Sequence, residues 1–227
     1  MSIGKNEQIN ILFLGNSFTY YNDMPTMLEQ LGIMNGYQVH VEQLTYGGYS
    51  LFQFINEVEV ASKVKQLFRE KHWDYVILQD QSSKPLYDKL ELISSIASLD
   101  KMIKQQDGKT ILYSTWSYRD DSAMLQSTTL TYDDFYNVLT KGYEEAGELV
   151  HAVVAPVGTV FHKLTKEYSE IDLIIEDDFH PNIKGSFVAA YVFYSLIFGN
   201  DNSSYIPDDL NEKDAEILRK VVQEIVS

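Results

Sequence analysis

Residues 9–20 read INILFLGNSFTY, and this stretch decides the fold. Its first part is a short apolar run that Gly15 closes, which is typical of a strand buried on both faces of a sheet. Gly15, Asn16 and Ser17 then turn the chain sharply, and a helical pattern begins at Met24. A strand, a tight turn and a helix hold a side chain at the carboxyl edge of a parallel sheet, where ligands bind in open α/β folds. Ser17 is that side chain, although serine at such a place also caps turns.

The rest of the chain alternates strands with helices. Short apolar or alternating stretches predict further strands over residues 38–44, 75–78, 110–116 and 150–156. Helical spacing predicts helices over residues 24–36, 51–70, 86–106, 131–147 and 157–168, after Pro181, and over 212–226. Residues 117–130 are polar and irregular. Five strands alternating with helices, without a repeat or a linker, predict an α/β fold with a doubly wound parallel sheet in three layers, as one domain over residues 1–227.

Composition excludes several classes of function. The chain contains no cysteine, which excludes disulfides, thiol catalysis and thiolate metal sites. Its net charge is −15, which argues against nucleic acid or an anionic membrane as a partner, and no apolar run approaches the length of a membrane span. The polar start MSIGKNEQIN lacks the apolar core of a signal peptide, so cytoplasmic residence is expected, although a secreted chain without its leader would look the same.

Residues that carry chemistry gather where the predicted strands end. They are Ser17, the pair Gly47–Gly48, the polar run 79–83, and Asp177 with His180 on a loop late in the chain. Nucleophilic acyl transfer needs a hydroxyl, an imidazole that takes its proton, a carboxylate that orients the imidazole, and donors for the oxyanion. The three-residue spacing of Asp177 and His180 allows the carboxylate to fold back onto Nδ1–H while Nε2 faces outward.

These motifs resemble those of the SGNH (GDSL-like) hydrolases. The resemblance rests on Gly15-Asn16-Ser17, glycine after the second strand, a polar stop after the third, and Asp177-x-x-His180-Pro181 before an apolar helix, and it covers nearly the whole chain in the expected order. It implies a flavodoxin-like five-stranded parallel sheet, Ser17 as nucleophile, His180 as general base and Asp177 as its partner. It also implies that the oxyanion donors are the amide of Ser17, the amide of Gly47 or Gly48, and an asparagine side chain after the third strand.

The sequence departs from the family's pattern in two places. The first block reads Gly-Asn-Ser instead of the commoner Gly-Asp-Ser, and no Gly-x-Asn-Asp follows the third strand. If Leu78 ends that strand, Gln81 falls where asparagine is expected, and its carboxamide donates the same kind of hydrogen bond. Alternation along an extended chain places Gln79 and Gln81 on one side, with Asp80 and Ser82 on the other. Gln81 is therefore the predicted third donor and Gln79 the reserve.

Each of these residues also has a structural interpretation. His180 is equally a candidate for a histidine that caps a helix, and Gly47–Gly48 could form a simple turn. Asp177 could be a solvated acid. Asp178 is then an alternative partner of the imidazole, although its two-residue spacing makes the contact more awkward. The other histidines are interpreted as structural or surface residues, and no cluster has the spacing of a metal site. The 16 tyrosines are interpreted mainly as core residues, although exposed ones stack on sugars.

The leading hypothesis is a serine esterase without cofactor that acts on small carboxylic esters, including O-acetyl groups on carbohydrates, as the resemblance implies. No long apolar segment suggests a channel for an acyl chain, which favours acetyl esters. The alternative is a binding module on the same fold, either a silent carbohydrate binder or a flavin binder that holds the phosphate with Ser17 and Thr19. Against flavin, the turn lacks a run of Thr, Ser and Gly, and the Asp177-x-x-His180 motif would have no role.

Overall fold

A five-stranded parallel sheet forms the centre of the computed structural model, which describes residues 4–5, 7–199 and 203–226. The strands are β1 (Gln8–Gly15), β2 (Gln38–Thr45), β3 (Tyr75–Leu78), β4 (Lys109–Tyr113) and β5 (Val153–Ala155). Their order in the sheet is β2-β1-β3-β4-β5, and every neighbouring pair is parallel. This is the flavodoxin-like order, so the predicted α/β fold is confirmed.

Helices cover both faces of the sheet. They are α1 (Ser17–Tyr20), α2 (Met24–Met34), α3 (Leu51–Asn56), α4 (Val58–Glu70), α5 (Lys84–Tyr87), α6 (Lys89–Lys104), α7 (Ala123–Ser127), α8 (Tyr132–Val150), α9 (Val157–Glu167), α10 (Ile183–Phe198) and α11 (Glu212–Val226). A short 3-10 turn, Tyr21–Asp23, joins α1 to α2. Helices α2, α9, α10 and α11 contribute to the core on one face, and α3, α4 and α6 to the core on the other.

The apolar run of β1 explains why this strand lies inside the sheet. Ile11 and Phe13 point into the core beneath α2 and α10, whereas Leu12 and Leu14 point into the core beneath α3, α4 and α6, and all four are fully buried. Successive side chains of a strand face opposite sides, so a strand covered on both faces needs apolar residues at every position. The run INILFLG thus places Ser17 at the carboxyl edge of an inner strand.

Two predicted helices are each divided in the structure. The helix predicted over 51–70 is interrupted at Glu57, whose extended backbone ends α3 and precedes α4. The helix predicted over 86–106 begins earlier, as α5, and is interrupted at Asp88, whose side chain accepts a hydrogen bond from the Glu91 amide and caps α6. A side-chain cap competes with helix continuation, and apolar periodicity alone does not reveal such a break.

The strands after β3 are shorter than predicted. Strand β4 ends at Tyr113, the last residue that pairs with β5, and the two strands pair over only three residues. The chain after β4 turns into the core, where the ring of Trp116 stacks on that of Phe161 with 4.1 Å between the ring centres. Val150 ends α8 and does not begin a strand, because His151 adopts a left-handed conformation (φ 52°) that terminates the helix. The predicted irregular segment 117–130 contains the short helix α7.

Gly158 lies inside the first turn of α9. A Cβ at this position would lie 2.1 Å from the carbonyl oxygen of Thr115, and the Gly158 amide donates to the carbonyl of Ser114. The glycine therefore allows α9 to approach the chain that leaves β4.

Part of the polar start lies outside the described residues, namely residues 1–3 and Asn6. Positions 200–202 and 227 of the predicted domain 1–227 also lie outside them. In the part of the chain that is described, no helix combines the length and the hydrophobicity needed to cross a membrane.

Candidate active site

The candidate site lies where β1 ends, and its first component is a turn held by Asn16. The Asn16 side-chain oxygen accepts a hydrogen bond from the Phe18 amide at 3.1 Å, and its side-chain nitrogen donates to the carbonyl of Tyr49 at 2.9 Å. Asparagine therefore caps α1 and also holds the loop that follows β2. Only a neutral amide makes both bonds, since an ionised aspartate accepts hydrogen bonds only. This accounts for Gly-Asn-Ser in place of Gly-Asp-Ser.

Gln79 supports the same turn from the end of β3. Its side-chain oxygen accepts from the Asn16 amide at 2.8 Å and from the Thr19 hydroxyl at 2.9 Å. A Cβ at Gly15 would lie 2.7 Å from that oxygen and 2.6 Å from the Thr19 hydroxyl, so only glycine fits there. Gln79 and Thr19 are both fully buried. The Thr19 hydroxyl is thus engaged inside the protein and does not face a ligand.

Ser17, His180 and Asp177 form a chain of short hydrogen bonds. The Ser17 Oγ lies 2.7 Å from Nε2 of His180, and Nδ1 of His180 lies 2.6 Å from a carboxylate oxygen of Asp177. Ser17 and His180 are 163 positions apart in the sequence and come from the two ends of the chain. Ser17 as a whole residue is 8% exposed, so it is largely but not completely buried.

The loop before α10 fixes the Asp177 carboxylate. One of its oxygens accepts from the backbone amides of Phe179 and His180, at 3.2 and 2.9 Å, and the other faces the imidazole. Burial raises the pKa of Asp177, but the backbone and side-chain hydrogen bonds from His180 outweigh it, and the pKa lies below its ordinary value. The carboxylate is therefore ionised near neutral pH and can orient the imidazole by accepting from Nδ1–H.

Asp178, the alternative partner, bonds to a different residue. Its carboxylate lies 3.2 Å from Nε of Arg119, and its carbonyl accepts from the Arg119 amide at 3.0 Å. Its backbone is left-handed (φ 74°), a conformation that costs free energy in residues other than glycine. Arg119 also donates to the carbonyls of Ile174 and Ile175, so one guanidinium fastens the loop that carries Asp177 and His180.

Arg119 and Trp116 support the site without having been singled out from the sequence. The indole nitrogen of Trp116 donates to the carbonyl of Phe179 at 3.0 Å, next to His180. Both residues follow β4 in the structure, although the sequence predicts Trp116 as the end of the fourth strand and marks Arg119 only as part of a polar, irregular segment. Their partners lie more than 50 positions away, so no local pattern reveals the contacts.

The amides of Ser17 and the Gly47–Gly48 pair remain the candidate oxyanion donors. Gly48 adopts a left-handed conformation (φ 74°), which favours glycine. The Asn16–Tyr49 hydrogen bond ties this loop to the turn that carries Ser17. Among the described residues, no protein acceptor is assigned to the backbone amides of Ser17, Gly47 and Gly48. These N–H groups are therefore available to an oxygen atom of a ligand.

The polar run after β3 does not alternate as the sequence suggested. Strand β3 ends at Leu78 as expected, but Gln79 and Asp80 are both fully buried. The Gln79 side-chain nitrogen donates to the carbonyl of Asp80, so Gln79, the reserve oxyanion donor, supports the Ser17 turn and does not extend toward a ligand. Period-two alternation holds only for extended backbone, and the chain turns at residues 82–83, where the Lys84 amide donates to the carbonyl of Gln81.

Gln81 differs from Gln79 because it is partly exposed. Its side-chain oxygen accepts from the amide and the hydroxyl of Ser83, at 3.0 and 2.9 Å. Within the described part of the chain, no acceptor is assigned to its side-chain nitrogen. Since the oxygen is engaged by Ser83, the N–H₂ group is the part of this carboxamide that a ligand could bind.

Asp80 connects the polar run to the glycine loop. One carboxylate oxygen accepts from the amides of Leu51 and Gln81, at 3.0 and 2.6 Å, and therefore ties the start of α3 to the residue after Asp80. Burial raises the pKa of Asp80 to about 6, although these two backbone hydrogen bonds oppose the shift. The Asp80 carboxylate thus holds the two loops that flank Ser17 in one arrangement.

The described residues contain no group of three or more His, Asp or Glu side chains that could hold a metal ion. Three other histidines, His40, His72 and His162, lie near the carboxylates of Glu42, Asp74 and Asp133, at 2.8, 3.6 and 2.8 Å. None of these pairs includes a serine. Among the described histidines, therefore, only His180 contacts both a carboxylate, that of Asp177, and a serine hydroxyl, that of Ser17.

Comparison with known proteins agrees with this architecture. The family model described as "Domain of unknown function (DUF4886)" matches residues 56–225, a span that includes Asp177 and His180 but begins after Ser17. No curated protein matches the sequence at a significant level. A protein from Slackia heliotrinireducens assigned to the SGNH hydrolases is 27% identical, with a TM-score of 0.75, over 83% of this chain and 98% of that chain.

Two other solved structures share the fold at lower identity. A DUF4886 family protein from Bacteroides uniformis is 18% identical, with a TM-score of 0.79, over 97% of this chain and 95% of that chain. A variant of Axe2, an acetylxylan esterase from Geobacillus stearothermophilus, is 16% identical, with a TM-score of 0.58, over 85% of this chain and 94% of that chain. The chain therefore belongs to the DUF4886 family and, by its fold, to the SGNH (GDSL-like) hydrolase superfamily.

Proposed function

We propose that this protein is a serine esterase that cleaves small carboxylic esters through a covalent acyl-enzyme. The observation that carries the proposal is the chain of hydrogen bonds from Ser17 through His180 to Asp177, with distances of 2.7 and 2.6 Å. A nucleophile within hydrogen-bond reach of a base, with the base oriented by a third group, is the arrangement that activates a serine hydroxyl. The SGNH-type fold of the chain independently supports a hydrolase.

Acylation begins when Ser17 Oγ attacks the carbonyl carbon of the ester. His180 Nε2 takes the hydroxyl proton, and the Asp177 carboxylate accepts from Nδ1–H, which stabilises the imidazolium that forms. The amides of Ser17 and of Gly47 or Gly48, with the side-chain nitrogen of Gln81, donate to the oxyanion. The tetrahedral intermediate then collapses, the bond to the alcohol breaks, and His180 returns its proton to the leaving alkoxide.

Deacylation repeats these steps with water as the nucleophile. His180 Nε2 removes a proton from a water molecule while the resulting hydroxide attacks the acyl carbon. The same donors bind the second oxyanion, and Ser17 leaves with the proton that His180 held. The products are one carboxylic acid and one alcohol, and the enzyme returns to its starting state without a cofactor.

Acetyl esters, including O-acetyl groups on carbohydrates, are the proposed substrates. Support comes from the similarity in fold to an esterase that acts on acetylated xylan. The flavin-binding alternative has less support, because the Thr19 hydroxyl that would contact a phosphate is fully buried and donates to Gln79. No comparable observation favours a carbohydrate-binding module that lacks activity.

A panel of esters tests the proposal. The purified protein is assayed on p-nitrophenyl acetate, butyrate and octanoate and on an acetylated xylooligosaccharide, with Ser17→Ala as the blank. The expected result is hydrolysis that falls as the acyl chain lengthens, together with acetate release from the sugar. Hydrolysis at the rate of the blank on every ester would contradict an esterase, and a preference for octanoate would contradict acetyl specificity.

Replacing each aspartate by asparagine shows whether Asp177 or Asp178 is the partner of the His180 imidazole. We expect Asp177→Asn to lower kcat by about 10²-fold or more, because an amide facing Nδ1 favours the tautomer whose Nε2 cannot accept the serine proton. Asp178→Asn is the matched control, since asparagine tolerates the left-handed backbone found at that position. The control should lose less than about tenfold. A larger loss in the control than in Asp177→Asn would assign the partner role to Asp178.

A second pair of variants separates the two glutamines after β3. We expect Gln81→Ala to lower kcat by about 10²-fold with little change in KM, the typical cost of one oxyanion donor. We expect Gln79→Ala to lower the free energy of unfolding by about 1–3 kcal/mol, because it leaves buried donors on Asn16 and Thr19 without an acceptor. Kinetics and thermal unfolding are measured on both. Unchanged kcat in Gln81→Ala would mean that only backbone amides bind the oxyanion.

A further inference from the structure

The ring of Tyr21 lies flat against the imidazole of His180. The two ring centres are 4.2 Å apart and the planes differ by 6°, a parallel stack. Phe179 and Phe18 also contact the imidazole, but their rings are tilted by 41° and 48°. Of these three aromatic rings, that of Tyr21 therefore lies nearly parallel to the imidazole, and the other two do not.

The hydrogen bonds of His180 do not fix that plane by themselves. Nδ1 and Nε2 are held by Asp177 and Ser17, and the two bonds define a line through the ring. Rotation of the imidazole about this line changes the directions of the Nδ1–H bond and of the Nε2 lone pair only a little, so the two hydrogen bonds oppose it weakly. A flat aromatic surface at van der Waals distance opposes it directly, since tilting the ring would bring its edge into the Tyr21 face.

The backbone around Tyr21 is strained and specifically anchored. Asn22 and Asp23 are consecutive non-glycine residues in the left-handed region, with φ of 53° and 54°. The Asn22 side-chain nitrogen donates to the carbonyl of Pro181 at 3.0 Å and to the hydroxyl of Ser186 at 2.9 Å. The Ser186 hydroxyl in turn donates to the carbonyl of Tyr21 at 3.1 Å. Strain of this kind persists only where surrounding contacts hold it, and it is concentrated at functional sites.

These anchors tie Tyr21 to the segment that carries His180. Pro181 follows His180 directly, and Ser186 lies in α10, which begins two residues later. The strained turn therefore keeps the Tyr21 ring stacked on the imidazole, although Tyr21 lies in the turn between α1 and α2 and His180 lies in the loop before α10. A turn that only joined α1 to α2 would not need hydrogen bonds to the residue after His180.

We infer that Tyr21 is a positioning residue that holds the plane of the His180 imidazole and stabilises the imidazolium that forms during catalysis. The inference rests on the proposed esterase function. The face of an aromatic ring attracts a cation, and this attraction grows when water is excluded from between the two groups. Since the imidazole becomes cationic only as the serine proton is transferred, the stack favours the transition state over the ground state.

Substitutions at Tyr21 test the inference on p-nitrophenyl acetate. We expect Tyr21→Leu to lower kcat by about three- to thirty-fold with KM changed less than about twofold, and Tyr21→Phe, which keeps the ring, to stay within about twofold of wild type. The matched control is Tyr136→Leu, because Tyr136 stacks on His162 at 4.1 Å and 17°, and His162 likewise bonds to a carboxylate. The control should leave kcat and KM unchanged.

Replacement of Tyr21 by pentafluorophenylalanine tests the electrostatic part while keeping a flat six-membered ring against the imidazole. This ring has an inverted charge distribution, so kcat should fall below that of Tyr21→Phe while the melting temperature stays the same. Full kcat in both Tyr21→Leu and the fluorinated variant, or equal losses in Tyr21→Phe and Tyr21→Leu, would overturn the inference while wild-type activity stands. A wild type that hydrolyses no ester would overturn the proposed function as well.

Discussion

Ser17→Ala is expected to reduce ester hydrolysis by about 10³-fold or more, because it removes the atom that attacks the carbonyl carbon. The fold should be retained. Among the described residues, His180 is the hydrogen-bond partner of the Ser17 hydroxyl, whereas the turn is held by Asn16 and Gln79, which the substitution leaves in place. The measurement is kcat/KM on p-nitrophenyl acetate together with the melting temperature of wild type and variant.

A matched control for this prediction is Ser195→Ala. Ser195 is a buried serine of α10 whose hydroxyl has no hydrogen-bond partner within the described part of the chain, so its removal deletes the same atom outside the site. The control should hydrolyse the ester at the wild-type rate. More than a tenth of the wild-type rate in Ser17→Ala would show that Ser17 is not the nucleophile.

His180→Ala is expected to be about as damaging as Ser17→Ala, again about 10³-fold or more, and the double variant should be no slower than either single one. The reason is that the serine and the imidazole act as one unit, so the loss of either removes the shared step. Rates of the two single variants and the double variant on one small ester measure this non-additivity.

Chemical rescue separates a lost base from a damaged fold in His180→Ala. The substitution leaves a space between the rings of Tyr21 and Phe179 and beside the Asp177 carboxylate. Free imidazole that enters this space should restore part of the rate in His180→Ala and none in the double variant that also lacks Ser17. Multiplicative losses in the double variant, or equal stimulation of both proteins by imidazole, would contradict the assignment of His180 as general base.

The fold follows from patterns that are local in the sequence. The apolar run of residues 9–15 predicts a strand buried on both faces, and β1 is such a strand, with Ile11 and Leu12 in opposite cores. Alternation of strands and helices predicts the parallel sheet. The breaks at Glu57 and Asp88 were missed, since each depends on one residue's backbone conformation and on tertiary packing, which override apolar periodicity.

The candidate site was predictable only in part. Ser17, Asp177 and His180 were identified from motifs at the two ends of the chain, and the structure brings their side chains together. The supporting residues were not foreseen, because their contacts join segments that are distant in sequence. Gln79 bonds to the Asn16 turn across 63 positions, and Arg119 reaches Ile174 across 55.

The direction in which a side chain points after the end of a strand could not be predicted from the sequence either. Period-two alternation placed Gln79 and Gln81 together, but Gln79 is buried against the Asn16 turn, while Gln81 lies just before the turn at residues 82–83 and stays partly exposed. Tyr21 shows the same limit, since two left-handed residues and a hydrogen bond to Pro181 place its ring on His180. None of these features has a signature in composition or periodicity.

The most direct test of the central claim is the mass of the protein after reaction with a fluorophosphonate probe. A hydroxyl activated by an imidazole attacks phosphorus and expels fluoride, which leaves a stable adduct. The account predicts one adduct per chain, located on the peptide that contains Ser17 and absent from both Ser17→Ala and His180→Ala. An unmodified wild-type protein, or an adduct that maps to another residue, would contradict it.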